Sequence, residues 1–175
     1  MKTIPKPEPN EYAPYASMYI DLLPNDGLVL KHLEDNLHAT TEFLHAVPEE
    51  KLSYRYAEGK WTIKEIIAHL IDDERIYVYR ALRFARNDQT ELPGFEQDDY
   101  AIESGANERS LDDLLEEFAA VRKSTIALFN SLCDRVLTRS GVASGNVMSV
   151  RAIAYHLAGH ELRHINIIKE RYLAA

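Results

Sequence analysis

Residues 61–86 read WTIKEIIAHLIDDERIYVYRALRFAR. Thr62 with Glu65 three residues later is a capping box: each side chain satisfies a free backbone N–H of the other at a helix start. Trp61 and Ile66 flank it as a hydrophobic staple. The helix that begins here runs to about Arg86. Ile66, His69, Asp73, Ile76, Arg80 and Arg83 fall close to one face. A face that points at a core yet carries His, Asp and two Arg must have each ionisable group paired or bound to something. His69 reads either as a metal ligand or as a hydrogen-bonded core histidine.

Three more helical segments surround it. The first runs from about Gly27 to Val47, with Leu30, Leu33, Leu37, Thr40, Leu44 and Val47 as its stripe and Pro48 as its stop. His32, His38 and His45 fall off that stripe and read as solvated surface residues. The third opens at Ser110 with the stripe Leu111, Leu114, Leu115, Phe118, Val121, Thr125, Leu128 and Leu132. It carries no buried polar chemistry and reads as scaffold. Gly141 and Gly145 mark a turn, and Ser149 caps a fourth helix that runs to about Tyr172.

The class is all-α. Residues 1–25 hold five prolines, Pro5, Pro7, Pro9, Pro14 and Pro24. Proline at this density disfavours a helix. The segment reads as an extended Pro-rich N-terminal arm whose Tyr12, Tyr15 and Tyr19 pack on the domain, or as a disordered tail. Residues 26–175 form the single domain. The connection over about 87–109 holds Pro93, Gly94 and Gly105 with Asp98, Asp99 and Tyr100. Its length suits a functional loop or a packed crossover.

At 175 residues with 46% apolar content, the chain buries a core without disulfides. It has one cysteine, Cys133, which suits a reducing cytoplasm. No apolar run approaches membrane length, and no signal core is read at the N-terminus. The net charge of −8 gives no basic footprint for nucleic acid.

The fourth helix contains HELRH, His160 to His164. Histidines four apart share a helix face and can reach one ion. The run also spells HExxH, the zinc-peptidase pattern. Such a peptidase needs a third ligand downstream, and the only carboxylate after His164 is Glu170. A third ligand therefore has to come from upstream. On the wheel of Val150, Ile153, Leu157, Ile165 and Ile168, His164 falls inside the stripe, His160 at its edge and His156 beyond it. His156 reads as exposed or as a neighbour of the ligands. His69 is the one further inward histidine, so a three-histidine site between helices is expected, with positions open for water or substrate. Gly159 removes a side chain where a neighbouring helix can approach.

The stretches Trp61–Arg80, WTIKEIIAHLIDDERIYVYR, and Gly159–Ile168, GHELRHINII, resemble the DinB/YfiT-like superfamily of metal-dependent enzymes, and element order agrees over about residues 25–173. The resemblance implies a four-helix bundle with long crossing connections. It also implies a metal triad of His69, His160 and His164 holding nickel or zinc, and a homodimer. Some such proteins are S-transferases that use low-molecular-weight thiols such as bacillithiol or mycothiol. After the pair this chain has His164-Ile165-Asn166-Ile167 where HrGQ is frequent, which leaves the substrate open.

The expected function is a cytoplasmic divalent-metal enzyme that activates a thiol or water, as S-transferase or small-substrate hydrolase. A non-enzymatic metal-binding protein and an HExxH peptidase are the alternatives. Glu161 is expected to orient a ligand histidine or to pair with Arg80. Arg80 and Arg83 are expected in ion pairs with Asp73 or Glu161, with anion binding as the other use.

Overall fold

The structure is a computed structural model that describes residues 1–173. The last two residues of the expected 26–175 domain lie outside the described residues. Seven α-helices occur among them: α1 Ser17–Ile20, α2 Val29–His45, α3 Glu49–Leu52, α4 Ile63–Ala85, α5 Gln97–Glu103, α6 Leu111–Ser131 and α7 Val150–Ile167. The four long ones, α2, α4, α6 and α7, form the bundle. α2 and α4 each pack on both α6 and α7. The diagonal pairs are therefore α2 with α4 and α6 with α7, and the segments joining each pair cross an end of the bundle.

The helix starts follow their caps. Thr62 Oγ1 accepts the Glu65 N–H at 3.1 Å, and Glu65 Oε2 accepts the Thr62 N–H at 2.8 Å. Ser110 and Ser149 cap α6 and α7 with one bond each, their hydroxyls accepting the Asp113 and Ala152 N–H groups. The end of α7 widens into a π turn at Ile168–Leu173. No helix of the described residues is long and apolar enough to cross a membrane.

Between α6 and α7 the two glycines sit in a β-hairpin, β1 Ser140–Ala143 with β2 Asn146–Ser149. Ser144 and Gly145 both take positive φ, 54° and 71°, as a two-residue I′ turn requires. Leu92 bridges to Ala143 and Tyr12 to Met148, so both hairpin edges are covered.

The N-terminal arm is extended only in part. Pro9–Glu11 and Pro14–Ala16 are 3₁₀ turns that lead into α1. Proline at a first helical position has its missing N–H where none is needed, so proline starts these turns rather than forbidding them. The arm is packed: Ile4, Ala16, Ile20 and Leu23 are buried in the core. Tyr155 donates to the Ile4 carbonyl at 3.0 Å, and Glu11 accepts from Ser149 at 2.7 Å and from Arg151.

The apolar core divides in two. One cluster joins the arm, the hairpin and the adjoining ends of α4 and α7. The other joins Leu37 and Leu44 with the start of α4, the start of α6 and the end of α7. Where the clusters meet, the buried side chains are polar: Thr40, His69, Asp73, Glu74, Arg122, His156, His160 and Glu161.

Arg122 corrects the expectation that the third helix carries no buried polar group. It is 1% exposed on α6 and is bound to Glu74 and Glu161. It sits in the same three- and four-residue repeat as Leu115, Phe118, Thr125 and Phe129. A search for apolar residues alone passes over a cation in that repeat.

Candidate metal centre

α4 and α7 bring their histidines to the polar layer from two adjacent helices. Gly159 sets how closely α7 can be covered. A Cβ there would lie 2.1 Å from the Tyr19 carbonyl oxygen, so only glycine lets α1 lie on this helix. The Tyr19 ring then stands edge-on to His156 and His160, with centroids 5.0 and 5.2 Å away. The neighbour that Gly159 admits is thus the arm.

His160 is the centre of the group. Its Nε2 lies 3.2 Å from His69 Nε2 and 3.0 Å from His164 Nε2. Its Nδ1 faces Asp73 Oδ2 at 3.2 Å. With the proton on Nδ1, beside that carboxylate, the ring keeps a single lone pair on Nε2. One lone pair accepts one N–H, so it cannot satisfy both neighbouring rings. Imidazole nitrogens bound at about 2.0–2.1 Å to a common ion stand about 3 Å apart. The three nitrogens, all within 4.8 Å of one another, fit a cation.

The protonation states agree with that use. Burial pushes His160 well below its ordinary value, and the Asp73 carboxylate offsets this only in part. Burial likewise lowers His69, and takes His164 down to about 3 with His69 adding to the effect. All three rings are neutral at pH 7 and keep a lone pair for a ligand bond. Burial alone would raise the Asp73 carboxyl, but His160 and His156 facing it hold it below the usual carboxylate range.

His164 and His160 line a cavity of about 480 Å³, with Tyr19, Trp61, Gln97 and Asp98 among its other walls. Trp61 lies 4.7 Å from the His69 ring and is stacked 6.3 Å from His164. The staple residue of α4 is also a wall of the site.

Several expectations change here. The wheel set His164 deepest and His156 outermost. The observed order is the reverse: His156 is 2% exposed, His160 5%, and His164 only half-buried. The arm covers the outer flank of α7, which a single-helix wheel cannot register. His156 is therefore not exposed. It stacks on Tyr77 at 4.2 Å, with its Nε2 3.6 Å from Asp73 Oδ2. Glu161 pairs with Arg122 and Thr40 rather than with Arg80: Oε1 accepts from Thr40 at 2.7 Å and Oε2 from Arg122 at 2.9 Å. Arg80 pairs with neither Asp73 nor Glu161; it donates to the Pro93 carbonyl at 3.2 Å and lies over the Tyr77 ring. Arg83 binds Asp88 and the Tyr79 hydroxyl. His32, His38 and His45 stand apart, with His32 beside Asp26 and His45 beside Asp112.

The DinB superfamily model matches residues 32–168. The chain belongs to the DinB superfamily. It is 28% identical over 142 residues to the Oceanobacillus iheyensis protein named "Putative metal-dependent hydrolase OB0413", covering 80% of this chain and 81% of that one. In fold it is similar to YfiT from Bacillus subtilis, which is described as a probable metal-dependent hydrolase with an unusual four-helix bundle topology. The TM-score is 0.75 at 15% identity, over 83% of this chain and 85% of that one. The matched DinB region spans the whole polar layer and begins after the arm. Tyr19, which closes one side of the site, lies outside it.

Proposed function

We propose that this DinB-superfamily chain is a metal-dependent hydrolase of a small substrate, with a divalent cation held by His69, His160 and His164. The observation that carries the reading is the contact of three neutral imidazole nitrogens at 3.0–3.2 Å around His160, on the wall of a cavity of about 480 Å³. Nickel and zinc both suit an all-imidazole site. When bound, the cation supplies Lewis acidity that makes water or a thiol nucleophilic near neutral pH.

The chain's own residues divide the remaining work. Asp73 Oδ2 stands 3.2 Å from His160 Nδ1 and so favours the proton on that nitrogen, leaving Nε2 free for a ligand bond. Trp61 and Tyr19 wall the cavity and limit how much water reaches the histidines. Asp98, on the first turn of α5, is the one carboxylate among the described residues that lines this cavity. It is the group available to take a proton from the nucleophile.

Glu161 does not serve as a peptidase base in this reading, because both of its oxygens are engaged by Thr40 and Arg122. The size of the cavity weighs against a purely structural metal, which needs no open wall. S-transfer from a low-molecular-weight thiol would use the same groups; the name of the relative weighs for water. Cys133 is exposed and free, which suits a reducing cytoplasm as the compartment.

The test is elemental analysis of untagged protein, then an ester, amide and thiol-transfer screen of the metal-loaded chain and of His164→Ala. About one metal per chain and hydrolysis lost in the variant are expected. Hydrolysis that persists with no metal bound overturns the reading.

A further inference from the structure

Arg80 is a buried cation without a counter-ion. It is 6% exposed, yet no carboxylate of the described residues lies within 4.0 Å of its guanidinium. A guanidinium has five N–H donors. Here one hydrogen bond goes to the Pro93 carbonyl at 3.2 Å, and one face lies 4.6 Å over the Tyr77 ring. The side chain borders a cavity of about 240 Å³, together with Tyr15, Tyr77, Gln97, Ser144 and Asn146. Hydroxyls and amides thus surround a cation whose remaining donors have no protein acceptor. Its remaining donors open onto this cavity, so their partner, water or a ligand, comes from outside the chain.

We propose that this cavity is a subsite for a carboxylate group of the substrate, with Arg80 as its anchor. A lone guanidinium matches the two oxygens of a carboxylate in a forked pair. Asp73 lines the same cavity, and its negative charge works against a dianion such as phosphate. The tyrosine hydroxyls and the Asn146 and Gln97 amides can supply further donors around the anion.

The subsite adjoins the histidine cavity: Gln97 borders both. His69 and Arg80 stand three turns apart on α4, about 16 Å along its axis. A ligand that reaches both is elongated, with its reacting group at the histidines and its carboxylate at Arg80. Calling that ligand the substrate rests on the hydrolase reading. The anion site itself does not need the metal.

The experiment is a titration of the full chain with propionate and, separately, with inorganic phosphate. It follows the side-chain Nε–Hε resonance of Arg80 by nitrogen-15 NMR. A saturable shift with propionate is expected, equal in metal-free, zinc-loaded and His164→Ala protein. Arg80→Gln should weaken binding about tenfold or more, read on the Ser144 and Asn146 amides. Arg80→Lys keeps the charge and loses the fork, so it should fall between the two. If Arg80→Gln fails to fold, the wild-type titration and Arg80→Lys carry the test. No saturable shift with propionate, tighter binding of phosphate, or propionate binding unchanged in Arg80→Gln overturns the carboxylate subsite. Propionate binding by a chain that takes up no metal when loaded overturns the hydrolase reading alone. Metal at the histidines without propionate binding overturns the subsite alone. In the hydrolysis screen, esters with a free carboxylate should be preferred over neutral analogues, and Arg80→Gln should abolish that preference.

Discussion

Two buried polar clusters sit one residue apart on the same two helices, and their chemistry is opposite. Asp73 and Glu74 are neighbours on α4, as are His160 and Glu161 on α7. Glu74 and Glu161 turn to Arg122, whose Nε and Nη2 reach Glu74 at 2.9 and 2.8 Å and whose Nη1 reaches Glu161 at 2.9 Å. Nη1 also donates to the Leu33 carbonyl at 2.6 Å, and Thr40 completes Glu161. Burial pushes the Glu161 carboxyl up, and Arg122 opposes that shift. This cluster is closed from within. Asp73 and His160 belong to the other, in which three lone pairs face one another and Asp73 Oδ2 and both His156 nitrogens lack a hydrogen-bond partner in the described structure. A saturated buried network serves the fold, while an unsaturated one beside a cavity has donors and acceptors left over for a water, an ion or a ligand.

Removing Arg122 should break the contrast most severely. Arg122→Ala leaves two carboxylates buried without their cation, at a cost of about 3–5 kcal/mol. Urea denaturation should show the loss at pH 7 as a lower midpoint with little change in slope. Replacing the whole trio, as Arg122→Met with Glu74→Leu and Glu161→Leu, should cost less than the single change, because no uncompensated charge remains. A harmless Arg122→Ala would show that this network is not what ties α6 to α4 and α7.

The histidine cluster should respond in the other way. His164→Ala should leave helical circular dichroism near wild type and shift stability of the metal-free chain by about 1 kcal/mol or less. It should also take metal content from about one per chain toward zero. His164 is the least buried of the three, so its loss leaves the smallest cavity. Chelation of wild type should likewise leave the helices folded, because two apolar clusters hold the bundle without a metal. Global unfolding on chelation would place the histidines with Arg122, among the groups that hold the fold.

The parts of this arrangement legible in the sequence are those written within one helix. The Thr62–Glu65 box, the stripe of α2 and the four-residue step of His160 and His164 all follow from local geometry. What two helices do to each other was much harder to read. Arg122 and Glu74 occupy core positions of their repeats, and only a partner on another helix makes a buried charge tolerable there. His156 looked peripheral because the arm that covers it is remote in sequence and rich in proline. Arg80 lay on a face with Asp73, but residues 92–95 rather than an acid became its neighbours. The hairpin escaped notice because its strands are four residues each, too short for a period-two signal.

Asp73 joins the two regimes and should give a graded effect. Asp73→Asn keeps shape and burial but removes the carboxylate charge that faces His160 Nδ1 at 3.2 Å. Loss of such an orienting partner weakens metal binding about 10–100-fold. Competition with a chelator of known affinity measures it. The prediction fails if metal affinity is unchanged while stability falls, which would make Asp73 a fold residue like Glu74.

The smallest effect is expected where histidines are plentiful but lie outside both clusters. His32, His38 and His45 all ride on α2, with His38 and His45 exposed and His32 half-buried. His32 Nε2 lies 2.8 Å from Asp26 Oδ2 and His45 Nε2 lies 3.0 Å from Asp112 Oδ1. Exposed pairs of this kind are screened by water and contribute little. The triple change to Gln should therefore leave metal stoichiometry at wild type and move Tm by no more than about 2 °C. It also removes three imidazoles that could bind metal loosely at the surface, so any stoichiometry above one should fall to one. A fall below one would show that the surface of α2 contributes a ligand, and that burial of the lone pair is not what separates His69, His160 and His164 from the other histidines of the chain.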